Sequence, residues 1–148
     1  MSMIETGTGL NYGRLDELLG FHLRMASAAM ARDFGEAMDE LNLTQKQCAV
    51  LELIAANPQC SQIDLAAALG TDRATMMALV DRLDARGLLA RTPSARDRRR
   101  QELSLTEDGQ ILLKDARRRI AAHEQRYLDR LGPAKAERLI ALLGEIYA

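Results

Sequence analysis

A chain of 148 residues with 47% apolar side chains can fill one aliphatic core, and it is the usual length of a single domain or subunit. Trp is absent and aromatic residues make up 3%, so that core must come from Leu, Ile, Ala, Met and Val, a composition that favours helix over sheet. The net charge is only -1, no apolar run is long enough to span a bilayer, and MSMIETGTGLNYG has neither the basic start nor the apolar stretch of a secretory signal. The opening segment therefore reads as a short frayed arm on a cytoplasmic protein.

Apolar positions recur at helical spacing from residue 15 to 38, at Leu15, Leu18, Leu19, His22, Met25 and Ala29, and predict a long amphipathic helix. Thr44 with Gln47 three residues on is a capping box that opens a second helix, with Val50, Leu51 and Ile54 as its buried stripe. Asn57-Pro58 ends it, because Pro58 lacks the N–H and disfavours helical backbone at Asn57. Ser61 caps a short helix that buries Leu65 and Leu69, Gly70 stops it, and Thr71 and Asp72 offer a new cap at once. Two helices joined by a tight glycine-containing turn are the pattern of a helix-turn-helix.

The second of these helices buries Met76, Leu79, Val80 and Leu83. Its other face shows Arg73, Ala74, Thr75, Met77, Ala78, Asp81 and Arg82. The first turns of that face are small and uncharged, which suits close approach to a partner. After Gly87 the period changes. LLART and QELSL alternate like strands on either side of PSARDRRR, which predicts a hairpin at about 88–105 with an arginine-rich tip. Thr106, Glu107 and Asp108 then start a helix of about residues 107–130, and Gly132-Pro133 separates it from a last helix bearing Leu139, Ile140, Leu142, Leu143 and Ile146. The terminal helices carry more apolar surface than so small a core can cover, so a homodimer is expected.

Residues 81–100 hold seven arginines against three aspartates, while the whole chain is at -1. Duplex DNA asks for local cations at the contact, not for a positive total. Arg96, Arg98, Arg99 and Arg100 beside a helix-turn-helix therefore point to double-stranded DNA as the partner, with Asp97 expected to pair with an arginine and hold the loop's shape. Cys48 and Cys60, His22 and His123 lack zinc-site spacing, so no metal or other cofactor is expected, and Cys48 reads as a small buried hydrophobe. There is no glycine-rich phosphate loop and no nucleophile–base constellation, so an enzyme is not expected.

LGTDRATMMALVDRLDARGLLART followed by RDRRRQELSLTEDG resembles the MarR family of winged helix-turn-helix regulators, closely so over residues 44–115. The resemblance implies a mainly helical fold with one small hairpin. A DNA-binding lobe over 41–106 would sit between dimerisation helices at 14–40 and 107–148. It implies a homodimeric regulator, most simply a repressor of a pseudo-palindromic site released by a small aromatic-carboxylate or phenolic effector. A regulator without effector and an interaction dimer that has lost DNA binding stay open. Carried over, Arg73, Ala74, Thr75, Met77 and Ala78 face the major groove, with Arg82 on the same helix face. The three apolar positions favour thymine-methyl contact and shape readout over base hydrogen bonds. Arg99 matches the wing arginine of the minor groove, Arg96, Arg98 and Arg100 surround it, and Ser61 and Gln62 open a helix whose N–H groups could hold a phosphate. LDELLGFHLRMAS is similar to the first helix of the hydroperoxide-sensing branch, but Gly20 stands where that branch has its cysteine. An effector pocket is expected between the terminal helices and the lobe, with Arg24 receiving a carboxylate and His22, Met25, Phe34 and Cys48 nearby.

Overall fold

The structure, a computed structural model, describes residues 9–148, so most of the expected N-terminal arm lies outside the described residues. A 3-10 turn, Gly13–Glu17, leads into α1 (Leu19–Met38). A second 3-10 turn, Asp39–Leu41, precedes α2 (Gln45–Ala56), α3 (Gln62–Ala68) and α4 (Arg73–Ala85). Strands β1 (Leu89–Pro93) and β2 (Gln101–Leu105) form a hairpin, followed by α5 (Glu107–Leu131) and α6 (Pro133–Tyr147). This is the mainly helical fold with one hairpin that the sequence predicts.

The caps act as their residue types require. Thr44 and Ser61 each close a capping box, and Asp72 and Thr106 accept the third backbone N–H of α4 and α5. Both helices of the helix-turn-helix end in the same left-handed turn. At α3, Thr71 N–H reaches the Ala66 carbonyl at 2.9 Å past Gly70. At α4, Leu88 N–H reaches Leu83 at 3.1 Å past Gly87. Met76, Val80 and Leu83 of α4 are fully buried and join Val50 and Leu51 of α2, Leu65 of α3, Leu103 of β2 and Leu113 of α5 in one core.

β1 and β2 pair antiparallel from Leu89↔Leu105 to Pro93↔Gln101. One backbone bond ties the hairpin to the segment before α3 and another closes its open end. Leu103 N–H donates to the Cys60 carbonyl at 2.8 Å, and Thr106 N–H donates to the Leu88 carbonyl at 3.1 Å. Gly109, in the first turn of α5, lies under that same Leu88 carbonyl. A Cβ there would come within 1.9 Å of the oxygen, so only glycine lets α5 pack this close.

The first helix departs from expectation. It begins at Leu19, because Leu18 is extended and the His22 ring Nε2 bonds the Asp16 carbonyl at 2.7 Å, folding the 3-10 turn back against α1. Most of the predicted stripe is uncovered among the described residues: Leu15, Leu18, Leu19 and Met25 are all exposed, Leu19 by 64%. Only Phe34 and Met38 of α1 are buried. On α6, Leu139, Ile140, Leu142 and Ile146 are likewise exposed, Ile140 by 67%.

Candidate nucleic-acid interface

The recognition-helix candidate α4 exposes Arg73, Ala74, Thr75, Met77, Ala78 and Arg82, all six as expected. Met77 is 51% exposed, an apolar side chain offered to solvent beside Ala74 and Ala78 and between Arg73 and Arg82 along the helix. Thr75 is less free than its position suggests. Its hydroxyl donates to Asp72 Oδ2 at 2.6 Å while its N–H donates to Asp72 Oδ1 at 2.8 Å, so it braces the cap and keeps only acceptor capacity outward.

The tip of the hairpin is a closed loop. Ser94 N–H bonds the Arg100 carbonyl at 2.9 Å, and Arg100 N–H bonds the Asp97 carbonyl at 3.0 Å. Asp97 does hold the loop's shape, but not by pairing with an arginine side chain. Its Oδ1 accepts the backbone N–H of Arg99 at 3.0 Å, the short-range turn that aspartate makes readily. Arg96, Arg98 and Arg99 are exposed and have no side-chain partner among the described residues.

Three of the seven arginines of residues 81–100 are spent inside the fold. Arg86 donates to the Leu41 and Asn42 carbonyls, both at 2.8 Å, tying the end of α4 to the start of the lobe. Arg91 of β1 pairs with Asp81 and Asp84 of α4. Arg100 pairs with Asp64 of α3 and so is not a free phosphate contact. The cations left outward are Arg82, Arg96, Arg98 and Arg99, joined by Arg73.

The expected phosphate seat at the start of α3 is already occupied. Ser61 is buried, its hydroxyl accepts Asp64 N–H at 3.3 Å, and the Asp64 carboxylate brings a negative charge to those N–H groups. The Ser61 backbone N–H and the Arg100 guanidinium hold that carboxyl below the usual aspartate range, so it stays ionised. Gln62 remains part-exposed at the edge of a cleft of about 580 Å³ between α3 and the hairpin, with Ile63 and Arg98–Arg100. Two residues here escape sequence reasoning. Ile63 is 57% exposed on that cleft, an apolar residue where a solvated helix start has no use for one. Asp64 closes the Ser61 capping box and pairs with Arg100, a partner 36 residues away.

A family model described as the MarR family matches residues 41–100. Over 139 residues the chain is 34% identical to a regulatory protein assigned to the hcr operon of Thauera aromatica, covering 93% of this chain and 84% of that one. The chain belongs to the MarR family of transcriptional regulators. Among family relatives, the organic hydroperoxide resistance transcriptional regulator of Bacillus subtilis is 30% identical over 103 residues, 70% of either chain. Among solved structures, the transcriptional repressor CouR bound to a 23-mer DNA duplex superposes with a TM-score of 0.91 at 37% identity, covering 94% of this chain and 99% of that one. CouR bound to p-coumaroyl-CoA gives 0.85 at 36%, covering 93% and 96%.

In this MarR-family chain the five expected effector residues do not converge. Phe34 and Cys48 are buried in the core, Phe34 edge-on to His123 at 5.7 Å. Arg24 and Met25 are exposed, and a side chain at Gly20 would meet open space, so no glycine-sized gap forms there within one chain. Of the five, His22 borders a substantial cavity. That cavity, about 500 Å³, lies between α1, α6 and the start of α2. Leu19, Leu23, Met30, Leu139 and Leu143 line it, with His22, Ser27 and Gln45 as polar groups and, among the described residues, no Lys, Arg, Asp or Glu. Burial pushes the Cys48 thiol up to about 11, helped by Glu52, and Cys60 is raised for the same first reason. Among the described residues no cluster of His, Cys, Asp and Glu could hold a metal, and no helix is long and apolar enough to cross a membrane.

Proposed function

We propose that this chain is a homodimeric, cytoplasmic repressor that grips a pseudo-palindromic duplex through α4 and the hairpin tip and lets go when a small phenolic effector binds. The observation that carries the DNA reading is how the lobe's arginines are divided. Arg86, Arg91 and Arg100 brace the scaffold, while Arg73, Arg82, Arg96, Arg98 and Arg99 are left outward on the lobe. Met77, Ala74 and Ala78 would meet thymine methyls, and Arg99 would enter the minor groove. The exposed apolar faces of α1 and α6 would close against their symmetry mates and set the two α4 helices about 34 Å apart, one turn of duplex.

The effector reading rests on the cavity beside α1 and α6. Among the described residues of one chain its polar groups are His22, Ser27 and Gln45, which offer hydrogen bonds but no cation, so an ionised carboxylate held by that lining alone would be buried unpaired, at a cost on the order of several kcal/mol. A phenolic ring whose acid is masked fits it better than the free acid, and CouR, which is bound to p-coumaroyl-CoA in one of its structures, is a relative with such a ligand. An effector that prefers a different spacing of the two lobes shifts the population away from the DNA-fitting form. Peroxide sensing is a poor alternative despite the Bacillus subtilis relative. Gly20 has no thiol, and thiols raised by burial are weak nucleophiles.

An anisotropy titration tests both parts, using a duplex selected by the protein from a randomised pool, at two salt concentrations, with phenols, free aromatic acids and their CoA thioesters added in turn. Tight, salt-sensitive binding abolished by a phenol or thioester but not by the matching free acid is expected. Binding that no compound alters would leave a regulator without effector, and no selected duplex would return the chain to an interaction dimer.

A further inference from the structure

Asp64 does two jobs with one oxygen. Its Oδ2 accepts the Ser61 backbone N–H at 2.8 Å and the Ser61 hydroxyl at 2.9 Å, which closes the cap of α3, and it also takes Nη2 of Arg100. Arg100 is the residue whose own N–H and carbonyl close the hairpin loop, through Asp97 and Ser94. A hold on Arg100 is therefore a hold on the loop that carries Arg96, Arg98 and Arg99. The next ties to the helical part are the Leu103–Cys60 backbone bond on β2 and the Arg91 pairs with Asp81 and Asp84 on β1, so without the Asp64–Arg100 pair the loop beyond Arg91 and Leu103 would hang from strand pairing alone.

We propose that Asp64 is a positioning residue for DNA recognition: it fixes the arginine-bearing tip relative to the helix-turn-helix, and it does so by keeping Arg100 out of the DNA contact. This rests on the DNA-binding reading above. Elementary electrostatics gives the opposite expectation. An acid on a DNA-facing surface repels phosphates, and Arg100 is a cation it neutralises, so removing Asp64 should tighten binding to any duplex. Positioning works against that for the cognate site. A tip that must be ordered on binding loses affinity where its exact placement matters and not where contacts are unspecific. The two effects separate in the ratio of specific to non-specific affinity.

Asp64→Asn keeps an acceptor for Ser61 and removes the ion pair; Arg100→Gln removes it from the other side; Arg100→Lys retains it. Each is compared with wild type in two measurements. The first is amide hydrogen exchange of the free protein at Ser94, Arg100 and Leu103. The second is affinity for a duplex selected by the wild type from a randomised pool, relative to a scrambled duplex of equal length. Asp64→Asn should speed exchange at the loop with little change in Tm and bind the scrambled duplex more tightly. Its specificity ratio should fall by about 5-fold per subunit, the equivalent of roughly 1 kcal/mol for an exposed pair. Arg100→Gln should lower the ratio too, the double variant should be no worse than the worse single one, and Arg100→Lys should keep the ratio. An unchanged or higher ratio, additive losses, or normal exchange in both variants overturns the strut. A wild type that selects no duplex overturns the DNA reading and this inference with it, while the exchange data still show whether the strut exists.

Discussion

The middle of the chain and its two ends solve the same problem differently. Between Thr44 and Gly109, helices α2 to α4 carry side-chain N-caps, α3 and α4 end in a glycine turn, and the hairpin is tied down on both strands, β2 by Leu103 to the Cys60 carbonyl and β1 by Arg91 to Asp81 and Asp84 of α4. At the ends, α1 and α6 start without a side-chain cap and turn Leu18, Leu19, Met25, Leu139, Ile140, Leu142 and Ile146 to solvent. The lobe is finished as one chain, whereas the terminal helices hold an apolar surface that a second copy would cover. The proposed function would use both properties: a rigid reader, and a joint whose geometry an effector could bias.

The sharpest way to break the contrast is to charge the unfinished face. Ile140→Asp should abolish dimers. Fully burying an Ile is worth about 1.5–3 kcal/mol, the two-fold axis counts it twice, and an unpaired carboxylate adds to the loss. The dimer dissociation constant should rise about 100-fold or more in sedimentation equilibrium, while the lobe's helical signal survives. Gly109→Ala attacks the finished region instead. The new Cβ meets the Leu88 carbonyl, so about 1–3 kcal/mol of stability should go, seen as a Tm lowered by about 2–4 °C per kcal/mol. Its oligomeric state should not change.

Smaller effects separate residues within the lobe. Arg99→Ala should cost about 1–3 kcal/mol of DNA affinity if the side chain reads a narrow groove, with the loss depending on nearby A·T content. Arg98→Ala, as a phosphate contact, should weaken all duplexes alike and flatten the salt slope by about 1 per subunit. Smallest is the response to acid. The Ser61 N–H holds Asp64 below its ordinary range, and the Arg117 fork does the same for Glu52. A depressed folded pKa stabilises above the unfolded value, and that contribution is lost as pH falls through the folded one. Tm should therefore be flat near neutrality and drop only below about pH 4, and Asp64→Asn should flatten that drop.

What was legible in the sequence follows from distance along the chain. Thr44, Ser61, Asp72 and Thr106 act on backbone within three residues, so residue type and spacing are enough to read them. Gly70, Gly87 and the two strands are local for the same reason. The site was half legible. The exposed face of α4 follows from helical period, but which arginines are free does not, because Arg91, Arg86 and Arg100 find partners 10, 45 and 36 residues away. Gly109 in LTEDG looks like an ordinary first-turn residue until Leu88 is packed above it. The expected effector residues stay apart within one chain for a different reason. Arg24 is one turn from Gly20, but side chains on one helix face converge on a pocket only if another element closes over them, and among the described residues of one chain Arg24 stays exposed.

Sedimentation velocity of the protein alone and with a fluorescent duplex selected from a randomised pool, at low and moderate salt, bears most directly on a symmetric DNA reader built from two such chains. The prediction is a dimer in the free protein and two chains on each duplex, with the complex dissociating as salt rises. A free monomer that stays soluble, or a complex indifferent to salt, would contradict it.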